Sequence, residues 1–242
     1  MRLNKHSFTP LYHQIEQALR RQIKEGVLIP GSAISERELS EQLGVSRMTA
    51  RQALSALRDE GLIYTARGRG TFVAEPKLDV HTRQLHGFSE DMRRRGLTPT
   101  SRVLGFRRSA ATEVVREKLD LGQLEEVYEI ERLRLADGAP MAWEVCQVPV
   151  GLGIEIGPVD LEQGSLYQLL EESGGIRLHE ADELLEAASA TRREAELLRI
   201  SHRSPVLIVE RTVRDIEHRP IEYVRSVYRG DRYQARIRLK RK

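Results

Sequence analysis

Residues 35–57 read SERELSEQLGVSRMTARQALSAL, and this stretch decides the fold of the first third of the chain. Ser35 and Glu38 have the spacing of a capping box, which predicts that a short helix begins there. Gly44 predicts a tight turn, and Ser46 is suited to cap the helix that follows. Two helices joined by a short glycine turn are typical of a helix-turn-helix.

The segments on either side complete a winged helix-turn-helix. Upstream, Pro10 is followed by apolar residues at steps of three and four, which predicts a first helix ending near Gly26. Downstream, residues 62–65 and 71–73 are short strand-like runs around the loop 66–70, whose sequence is ARGRG. Its glycines can supply the positive φ angles of a hairpin, so the sequence predicts a β-wing after the helices.

One face of the third predicted helix is polar and cationic. Arg47 and Arg51 stand four residues apart, opposite the apolar residues that face the core, with Gln52 beside them. Like charges at this spacing cost a helix about 0.2–0.5 kcal/mol, so we expect an anion from outside to compensate them. Arginine can hold guanine O6 and N7 with two hydrogen bonds when such a helix lies in the major groove. We predict that these three residues read bases; a merely solvated charged face is the alternative.

Further DNA contacts are predicted around this face. Arg37 lies near the start of helix two, and Arg67 and Arg69 lie in the wing, where they can reach the DNA backbone or the minor groove. Gly70 would let the main chain of the wing approach the DNA closely. The residues predicted to contact double-stranded operator DNA are Arg37, Ser46, Arg47, Thr49, Arg51, Gln52, Arg67, Arg69 and Gly70.

The charge of the chain permits DNA binding without proving it. The formal net charge is +3; residues 1–75 hold 11 lysines and arginines against 8 acidic residues, and residues 76–242 hold 28 against 28. The whole excess therefore lies in the first third of the chain. A second basic cluster at the C-terminus is interpreted as a solvated tail, with phosphate contact as the alternative. It consists of Arg236, Arg238, Lys240, Arg241 and Lys242.

Beyond Pro76 the pattern changes to strands of about ten residues separated by short helices. The helices are too few for a parallel sheet, and residues 136–138 and 216–218 suit hairpin turns. We therefore predict an α+β domain with a largely antiparallel sheet. The predicted strands are residues 100–108, 127–136, 141–148, 177–187, 206–215, 221–229 and 233–239, and the predicted helices are residues 89–95, 112–119, 165–172 and 191–198.

Two arginines of one predicted strand indicate an anion site. Side chains alternate along a strand, so Arg132 and Arg134 share one face with Tyr128. Two cations on a half-apolar face need a counter-ion. The sequence leaves two alternatives open: a bound anion, or a cross-strand carboxylate such as Glu144 or Glu222.

Two further segments favour the bound anion. Residues 88–92 and 164–167 place Ser89 and Ser165 at predicted helix starts, where free backbone N–H groups favour phosphate. Two helix starts and two arginines together suggest a phosphate group. Glu222 and Tyr228 lie an even number of residues apart on one predicted strand, so both could hydrogen-bond to the rest of the same ligand.

The first third of the chain resembles the N-terminal winged helix of the GntR family of bacterial transcription regulators. The resemblance rests on residues 10–12 (PLY), 35–39 (SEREL), 45–54 (VSRMTARQAL) and 68–73 (GRGTFV), and it covers nearly all of residues 8–75. In that family the positions that match Arg37, Arg47, Arg51 and Gly70 contact operator DNA. The resemblance thus implies the same residues as the helix pattern does.

Residues 85–235 resemble the UTRA effector domain of the HutC subfamily, which has a chorismate-lyase-like fold and binds small molecules. The most specific pieces are residues 132–138 (RLRLADG), 140–141 (PM) and 226–233 (SVYRGDRY). The chain is similar to the repressors of this subfamily that sense amino-sugar phosphates such as N-acetylglucosamine 6-phosphate. That similarity implies phosphate contacts from Phe88, Ser89, Arg132, Arg134, Ser165 and Tyr167, and sugar contacts from Glu144, Glu222 and Tyr228.

These observations predict a ligand-responsive DNA-binding repressor of genes for amino-sugar uptake or catabolism. The expected domains are residues 1–75 for DNA binding, a linker over residues 76–84, and residues 85–242 for effector binding and homodimerisation. The alternatives are a regulator that senses another anion, such as urocanate or a different sugar phosphate, a chorismate-lyase-like enzyme, and a ligand-independent architectural DNA binder. We expect no catalytic residues, metal or cofactor. The chain also lacks the patterns of a signal peptide and a membrane span, so we expect a cytoplasmic protein.

Overall fold

The computed structural model describes residues 3–4, 7–66, 69–74, 78–81 and 85–236, and the chain divides into two compact units, residues 1–77 and 78–242. Residues 78–81, predicted to lie in the linker, form a strand that belongs to the second unit. No helix in the described ranges is both long and apolar enough to cross a membrane.

The first unit is a winged helix-turn-helix, as predicted. Its elements are α1 (Leu11–Lys24), β1 (Ala33–Ile34), α2 (Glu36–Leu43), α3 (Arg47–Asp59), β2 (Ile63–Ala66) and β3 (Gly70–Val73). The three strands form an antiparallel sheet in the order β1-β3-β2. Apolar residues of all three helices and of the strands pack into one core, which includes Ile15, Ala50, Leu54, Leu57 and Ile63.

The caps that the sequence predicts fix the two helices of the helix-turn-helix. The Ser35 half of the capping box forms, because Ser35 Oγ accepts a hydrogen bond from the backbone N–H of Glu38 at 3.3 Å. Gly44 ends α2 in the left-handed conformation, with φ +59°, which favours glycine. Ser46 Oγ then accepts from the N–H of Thr49 at 3.1 Å and starts α3.

The second unit is built on a six-stranded antiparallel sheet. Its order is β5-β6-β7-β10-β9-β8, and each neighbouring pair is antiparallel, as predicted. The elements are β4 (Leu78–His81), α4 (Phe88–Arg94), β5 (Pro99–Ala110), α5 (Glu113–Leu119), β6 (Glu126–Ala136), β7 (Ala139–Pro149), a 3-10 turn (Val150–Leu152), α6 (Pro158–Gln163), α7 (Leu166–Glu172), β8 (Leu178–Ser189), α8 (Arg192–Leu198), β9 (Pro205–Asp215), β10 (Pro220–Arg229) and β11 (Tyr233–Arg236).

Helices cover parts of both faces of this sheet. Apolar residues of α4, α6 and α7 pack on the face that carries Ile130 and Cys146. Apolar residues of α5 and α8 pack on the opposite face, which carries Leu133 and Val227. The turn between β6 and β7 has Asp137 and Gly138 at positive φ, as its hairpin sequence predicts.

The last strand differs from its prediction. β11 ends at Arg236 and pairs in parallel with β4, as a separate two-stranded sheet. Sequence patterns did not indicate β4 because it has only four residues, and the pairing joins segments about 150 residues apart. The predicted strand residues 237–239 and most of the basic cluster lie outside the described residues.

Candidate functional site

The exposed face of α3 carries the predicted base-reading residues. Arg47, Arg51 and Gln52 are all exposed, whereas Ala50 and Leu57 on the other face are fully buried. The amphipathic pattern of the helix therefore places the three polar side chains together on the surface of the first unit.

Hydroxyl groups at the start of α3 are engaged with one another. Ser46 Oγ and Thr49 Oγ1 are 2.8 Å apart in addition to the capping bond from Thr49 N–H. On α2, Arg37 is exposed and its Nε lies 3.1 Å from Glu41 Oε1, one turn further along. Ser46, Thr49 and Arg37 are thus held by local contacts, and Arg37 keeps most of its surface accessible.

Arg51 has an internal partner that the sequence did not suggest. Its Nε and Nη2 donate to the two carboxylate oxygens of Glu36, each at 3.1 Å. Glu36 therefore already compensates part of the charge of Arg51 within the chain. The two residues are 15 positions apart and meet only because α2 packs against α3.

The wing presents one further arginine beside its glycine. Arg69 is exposed, and Gly70 has φ +116°, a conformation that favours glycine. Arg67, also predicted to contact DNA, lies outside the described residues.

The second unit contains a pocket on the sheet face that α4 and α7 cover. In the sheet register Arg132 lies opposite Glu144, and Glu144 lies opposite Ser226 on the next strand. The space between the walls of the pocket is about 470 Å³, its open mouth included. Its lining consists of Gly87, Phe88, Arg132, Arg134, Glu144, Ser165, Leu166, Tyr167, Val209, Arg211, Glu222, Val224, Ser226 and Tyr228.

Two buried guanidinium groups share one carboxylate in this pocket. Arg132 Nη2 lies 2.5 Å from Glu144 Oε1, and Arg134 Nη1 donates to the same oxygen at 3.3 Å. Both arginine side chains are only 3% exposed. Nε and Nη1 of Arg132 and Nε of Arg134 are buried without a hydrogen-bond partner among the described residues. The cross-strand carboxylate of the second alternative is present, but it does not satisfy both cations.

The ionisation of these groups reflects the excess of positive charge. Burial and the charge of Arg132 lower the pKa of Arg134 to about 10. Burial alone would lower the pKa of Arg132 and raise that of Glu144. The attraction between the two charges outweighs burial, so the pKa of Arg132 is raised and that of Glu144 is lowered. An anion beside Arg134 would therefore stabilise its charged form.

The two predicted serine segments reach this pocket in different ways. Ser89 is buried in the first turn of α4, where its Oγ accepts from Arg134 Nη2 at 2.9 Å, and the ring of Phe88 lies 4.6 Å from the Arg134 guanidinium carbon. Ser165 is the N-cap of α7 and lines the pocket. Eight of the nine predicted effector residues line the pocket, and the ninth, Ser89, supports an arginine that does.

The pocket also holds a buried acid and a buried tyrosine on β10. Glu222 Oε1 accepts from the thiol of Cys146 at 3.3 Å, while its Oε2 is buried without a partner among the described residues. Burial and the nearby charge of Glu144 raise the pKa of Glu222. The same two causes raise the pKa of Tyr228 to about 12, so its hydroxyl keeps its proton. In the sheet register Tyr228 and Arg134 both pair with Ala142, whereas Glu222 lies six positions away along β10. The pocket therefore has a hydroxyl donor beside Arg134 and a carboxylate acceptor further along the strand.

Arg211 is a pocket residue that the sequence analysis missed. Its Nη1 donates to the hydroxyl of Tyr167 at 3.3 Å and to the carbonyl of His86 at 3.0 Å, and its Nη2 lies 2.5 Å from Glu183 Oε1. The available signal was an arginine that alternates with buried valines on a predicted strand, at Val209 and Val213.

Glycine at position 87 allows close packing of the pocket wall. A Cβ at Gly87 would lie 3.2 Å from Cδ2 of Tyr167, which is tighter than ordinary contact. The ring of Tyr167 can therefore pack directly on the backbone before α4. Among the described residues no group of three or more His, Cys, Asp or Glu side chains is arranged to hold a metal ion.

Comparison with known proteins agrees with both halves of this description. The family described as bacterial regulatory proteins, gntR family, matches residues 11–73, and the UTRA domain matches residues 94–234. The chain belongs to the GntR family. This GntR chain is 42% identical to the HTH-type transcriptional repressor NagR of Bacillus subtilis (strain 168), over 96% of each chain.

Two further relatives place the GntR chain among UTRA regulators. It is 30% identical to the mannosyl-D-glycerate transport/metabolism system repressor MngR of Escherichia coli (strain K12), over 96% of this chain and 97% of MngR. The crystal structure of PhnF from Mycobacterium smegmatis is 29% identical with a TM-score of 0.64, and the match covers 94% of this chain and all of PhnF. The protein is a DNA-binding transcriptional repressor of the GntR family, not an enzyme, and it binds a small-molecule effector through its UTRA domain.

Proposed function

We propose that this GntR repressor is a homodimer that controls genes for amino-sugar uptake or catabolism. In this proposal it leaves its operator when a phosphorylated amino sugar, such as N-acetylglucosamine 6-phosphate, binds the UTRA pocket. A phosphorylated sugar exists only after uptake and phosphorylation, so it reports that the sugar has entered the cell.

The observation that carries the effector class is the pair of buried arginines with a single shared carboxylate. Buried N–H groups without partners each cost free energy, and more so when they are charged. A phosphate dianion offers several acceptor oxygens and two negative charges, so it suits the unpaired N–H groups of Arg132 and Arg134. A neutral sugar could not supply that charge.

Further polar groups of the pocket support a sugar on the phosphate. Glu222 has a buried oxygen without a partner in the described chain, and Tyr228 offers a protonated hydroxyl. Together with Glu144 they can accept from and donate to sugar hydroxyls and an acetamido group. The 42% identity to NagR, a transcriptional repressor, supports the regulatory role of such a ligand.

A different effector is the second candidate. MngR is 30% identical over nearly the whole chain and is named as the repressor of a mannosyl-D-glycerate transport/metabolism system, so a relative of this chain regulates genes for a different compound. Another sugar phosphate, or a small anion such as urocanate, therefore stays as the alternative. Both kinds of ligand carry a negative charge that suits the arginines. They differ in the hydrogen-bonding groups that they present to Glu222 and Tyr228.

For operator recognition we propose direct base contacts from Arg47, Arg51 and Gln52. In the same proposal Arg37, Arg67 and Arg69 contact the DNA backbone or minor groove, and Gly70 allows the wing to approach. Ser46 and Thr49 hold the start of α3. A homodimer would present two such helices to the half-sites of an inverted repeat. The effector can weaken this complex only by binding the released state more tightly than the operator-bound state.

Titration calorimetry of the purified full-length protein tests the effector. The titrants are N-acetylglucosamine 6-phosphate, N-acetylglucosamine and inorganic phosphate, because the proposal requires both parts of the ligand. Arg132→Ala should lose binding by roughly 100-fold, the scale of truncating one partner of a buried charge pair. Arg193→Ala is the control, since Arg193 is an exposed arginine that pairs with Glu131 on the other face of the sheet. Equal affinities for all three titrants would contradict the proposed class.

A gel shift with DNA selected from a random pool by the protein tests the regulatory step. Saturating ligand should release the complex, and an unchanged complex would contradict the proposal. Sedimentation of the free protein should give the mass of a dimer. Arg47→Ala should lose base discrimination by about 1–3 kcal/mol, and an unaltered site preference would contradict its role.

A further inference from the structure

Glu36 and Arg51 form a two-point ion pair between the first residue of α2 and the exposed face of α3. The distances from Nε to Oε2 and from Nη2 to Oε1 are both 3.1 Å, and the hydrogen bonds to Glu36 raise the pKa of Arg51. The Arg51 side chain is nevertheless 63% exposed. Exposed ion pairs contribute little to folding stability, so stability alone does not account for this geometry.

The carboxylate occupies one edge of the guanidinium and leaves another accessible. A guanidinium carries five N–H groups in a planar fork. Glu36 takes the Nε hydrogen and one Nη2 hydrogen, and no hydrogen bond among the described residues uses the hydrogens of Nη1. The end edge, formed by Nη1 and the second Nη2 hydrogen, matches the paired O6 and N7 acceptors of guanine.

Both partners stand on backbone that is fixed locally. Glu36 directly follows Ser35, whose side chain caps α2, and the first turn of α3 is capped by Ser46. The two helices pack against each other through buried residues such as Leu39 and Leu54. The relative position of the carboxylate and of the Arg51 backbone is therefore set by the fold of the first unit.

We propose that Glu36 is a positioning residue for DNA reading, which holds Arg51 so that its end edge faces a guanine of the operator. The inference rests on the base-reading role proposed for Arg51. A freely rotating arginine can satisfy any phosphate within reach, whereas a held arginine satisfies only a correctly placed pair of acceptors. The carboxylate also repels phosphates, so it lowers affinity for unrelated DNA and raises discrimination.

The test compares two carboxylates of α2 that each pair with an arginine. Glu36→Gln removes the carboxylate that pairs with Arg51. Glu41→Gln removes an equal charge from the same helix, but this carboxylate pairs with Arg37 instead. The full-length proteins are titrated with a duplex selected by the wild type from random DNA, with a scrambled duplex, and with duplexes in which each guanine in turn is 7-deazaguanine. This base lacks only the N7 acceptor, so the loss of affinity reports a major-groove contact.

For the wild type we expect one guanine at which the 7-deaza base weakens binding roughly tenfold, within the range of a bidentate contact. Glu36→Gln should reduce this penalty to about threefold or less and tighten binding to the scrambled duplex. Glu41→Gln should keep the full penalty, although it too binds the scrambled duplex more tightly. A full penalty in Glu36→Gln, or an equal reduction in Glu41→Gln, would overturn the proposal.

Two further variants separate failure of the inference from failure of the proposed function. Arg51→Ala should abolish the penalty at that guanine; if it does not, Arg51 is not the reading residue and the proposed role itself is wrong. If Glu36→Gln lowers the melting temperature of the protein, Glu36→Asp takes its place. Aspartate keeps the charge at the helix start, but its side chain is one methylene shorter and holds the carboxylate further from Arg51, so the penalty should again fall, and an unchanged penalty contradicts the inference.

Discussion

The rings of Tyr228 and Tyr233 stack, with centroids 4.1 Å apart and planes inclined by 15°. Tyr228 lines the pocket, and Tyr233 is the first residue of β11. β11 pairs with β4, the strand that directly follows the first unit in the chain. The hydroxyl of Tyr233 also donates to Asp91 of α4 at 3.3 Å. The stack therefore connects the pocket to the strand through which the chain enters the second unit.

This contact predicts that Tyr233→Leu changes the response to effector more than the affinity for it. Aromatic stacking is worth about 0.5–1.5 kcal/mol, so ligand affinity should fall no more than about tenfold. Release from DNA at saturating ligand should become incomplete, because β11 no longer follows the position of Tyr228. Calorimetry gives the affinity and gel shifts give the release.

A second buried tyrosine serves as the control for this prediction. Tyr223 lies on the same strand as Tyr228 but packs with α5 on the opposite face of the sheet. Tyr223→Leu should lower the melting temperature and leave complete release at saturating ligand. The same partial release in both variants would show that loss of packing, rather than the stack, weakens the response.

We predict that removing the charge of Glu144 lowers the stability of the fold and strengthens the binding of anions. Glu144 is the carboxylate shared by Arg132 and Arg134, so Glu144→Gln leaves two buried cations uncompensated and should cost about 3–5 kcal/mol of unfolding free energy at neutral pH. Inorganic phosphate should then raise the melting temperature of the variant more than that of the wild type, with chloride at equal ionic strength as the reference. An equal rise in both proteins would contradict the view that these arginines lack counter-charge.

We predict that the ionisation of Glu222 makes the stability of the protein depend on pH, and that Glu222→Gln lacks this dependence. The pKa of Glu222 in the folded protein is raised above the ordinary 4.5 by burial and by Glu144, so the folded state binds more protons than the unfolded state between these two values. Stability therefore falls as pH rises through this window. Arg132 and Arg211 face the same carboxylate and limit the rise, and Cys146 donates to it.

Glu222→Gln should remove this loss, because the amide does not ionise. Denaturant unfolding at about pH 4.5 and about pH 8 measures the effect, and the variant should gain stability relative to the wild type on going to the higher pH. Glu210→Gln is the control, since Glu210 lies on the neighbouring strand on the other face and is 30% exposed. A variant that loses stability relative to the wild type at the higher pH would show that the ionised carboxylate is favourable there.

Local patterns were sufficient for the elements and for part of each site. The caps at Ser35 and Ser46 and the left-handed Gly44 are local, so their sequence signals predicted the helix-turn-helix. Alternation along one strand was enough to place Arg132 and Arg134 on a common face. These inferences need only neighbouring residues and the periodicity of a helix or strand.

Contacts between distant elements could not be derived in this way. The pairing of Glu36 with Arg51 depends on how two helices pack, and the contacts of Arg211 depend on strand order, which brings β8 beside β9. The β4–β11 pair depends on a return of the chain after about 150 residues. Each of these contacts is tertiary, and no pattern along one segment contains it.

The salt dependence of DNA binding should separate phosphate contacts from base contacts. Arg37 is exposed on α2 and is proposed to contact the backbone, so Arg37→Ala should weaken binding to the selected and the scrambled duplex by similar factors. The slope of log affinity against log salt should become less steep by about 0.9 for one lost phosphate contact. Arg58→Ala is the matched control, since Arg58 is an exposed arginine in the last turn of α3, away from its capped start. Anisotropy titrations between about 50 and 200 mM salt measure both slopes; equal slopes for the wild type and Arg37→Ala would mean that Arg37 neutralises no phosphate.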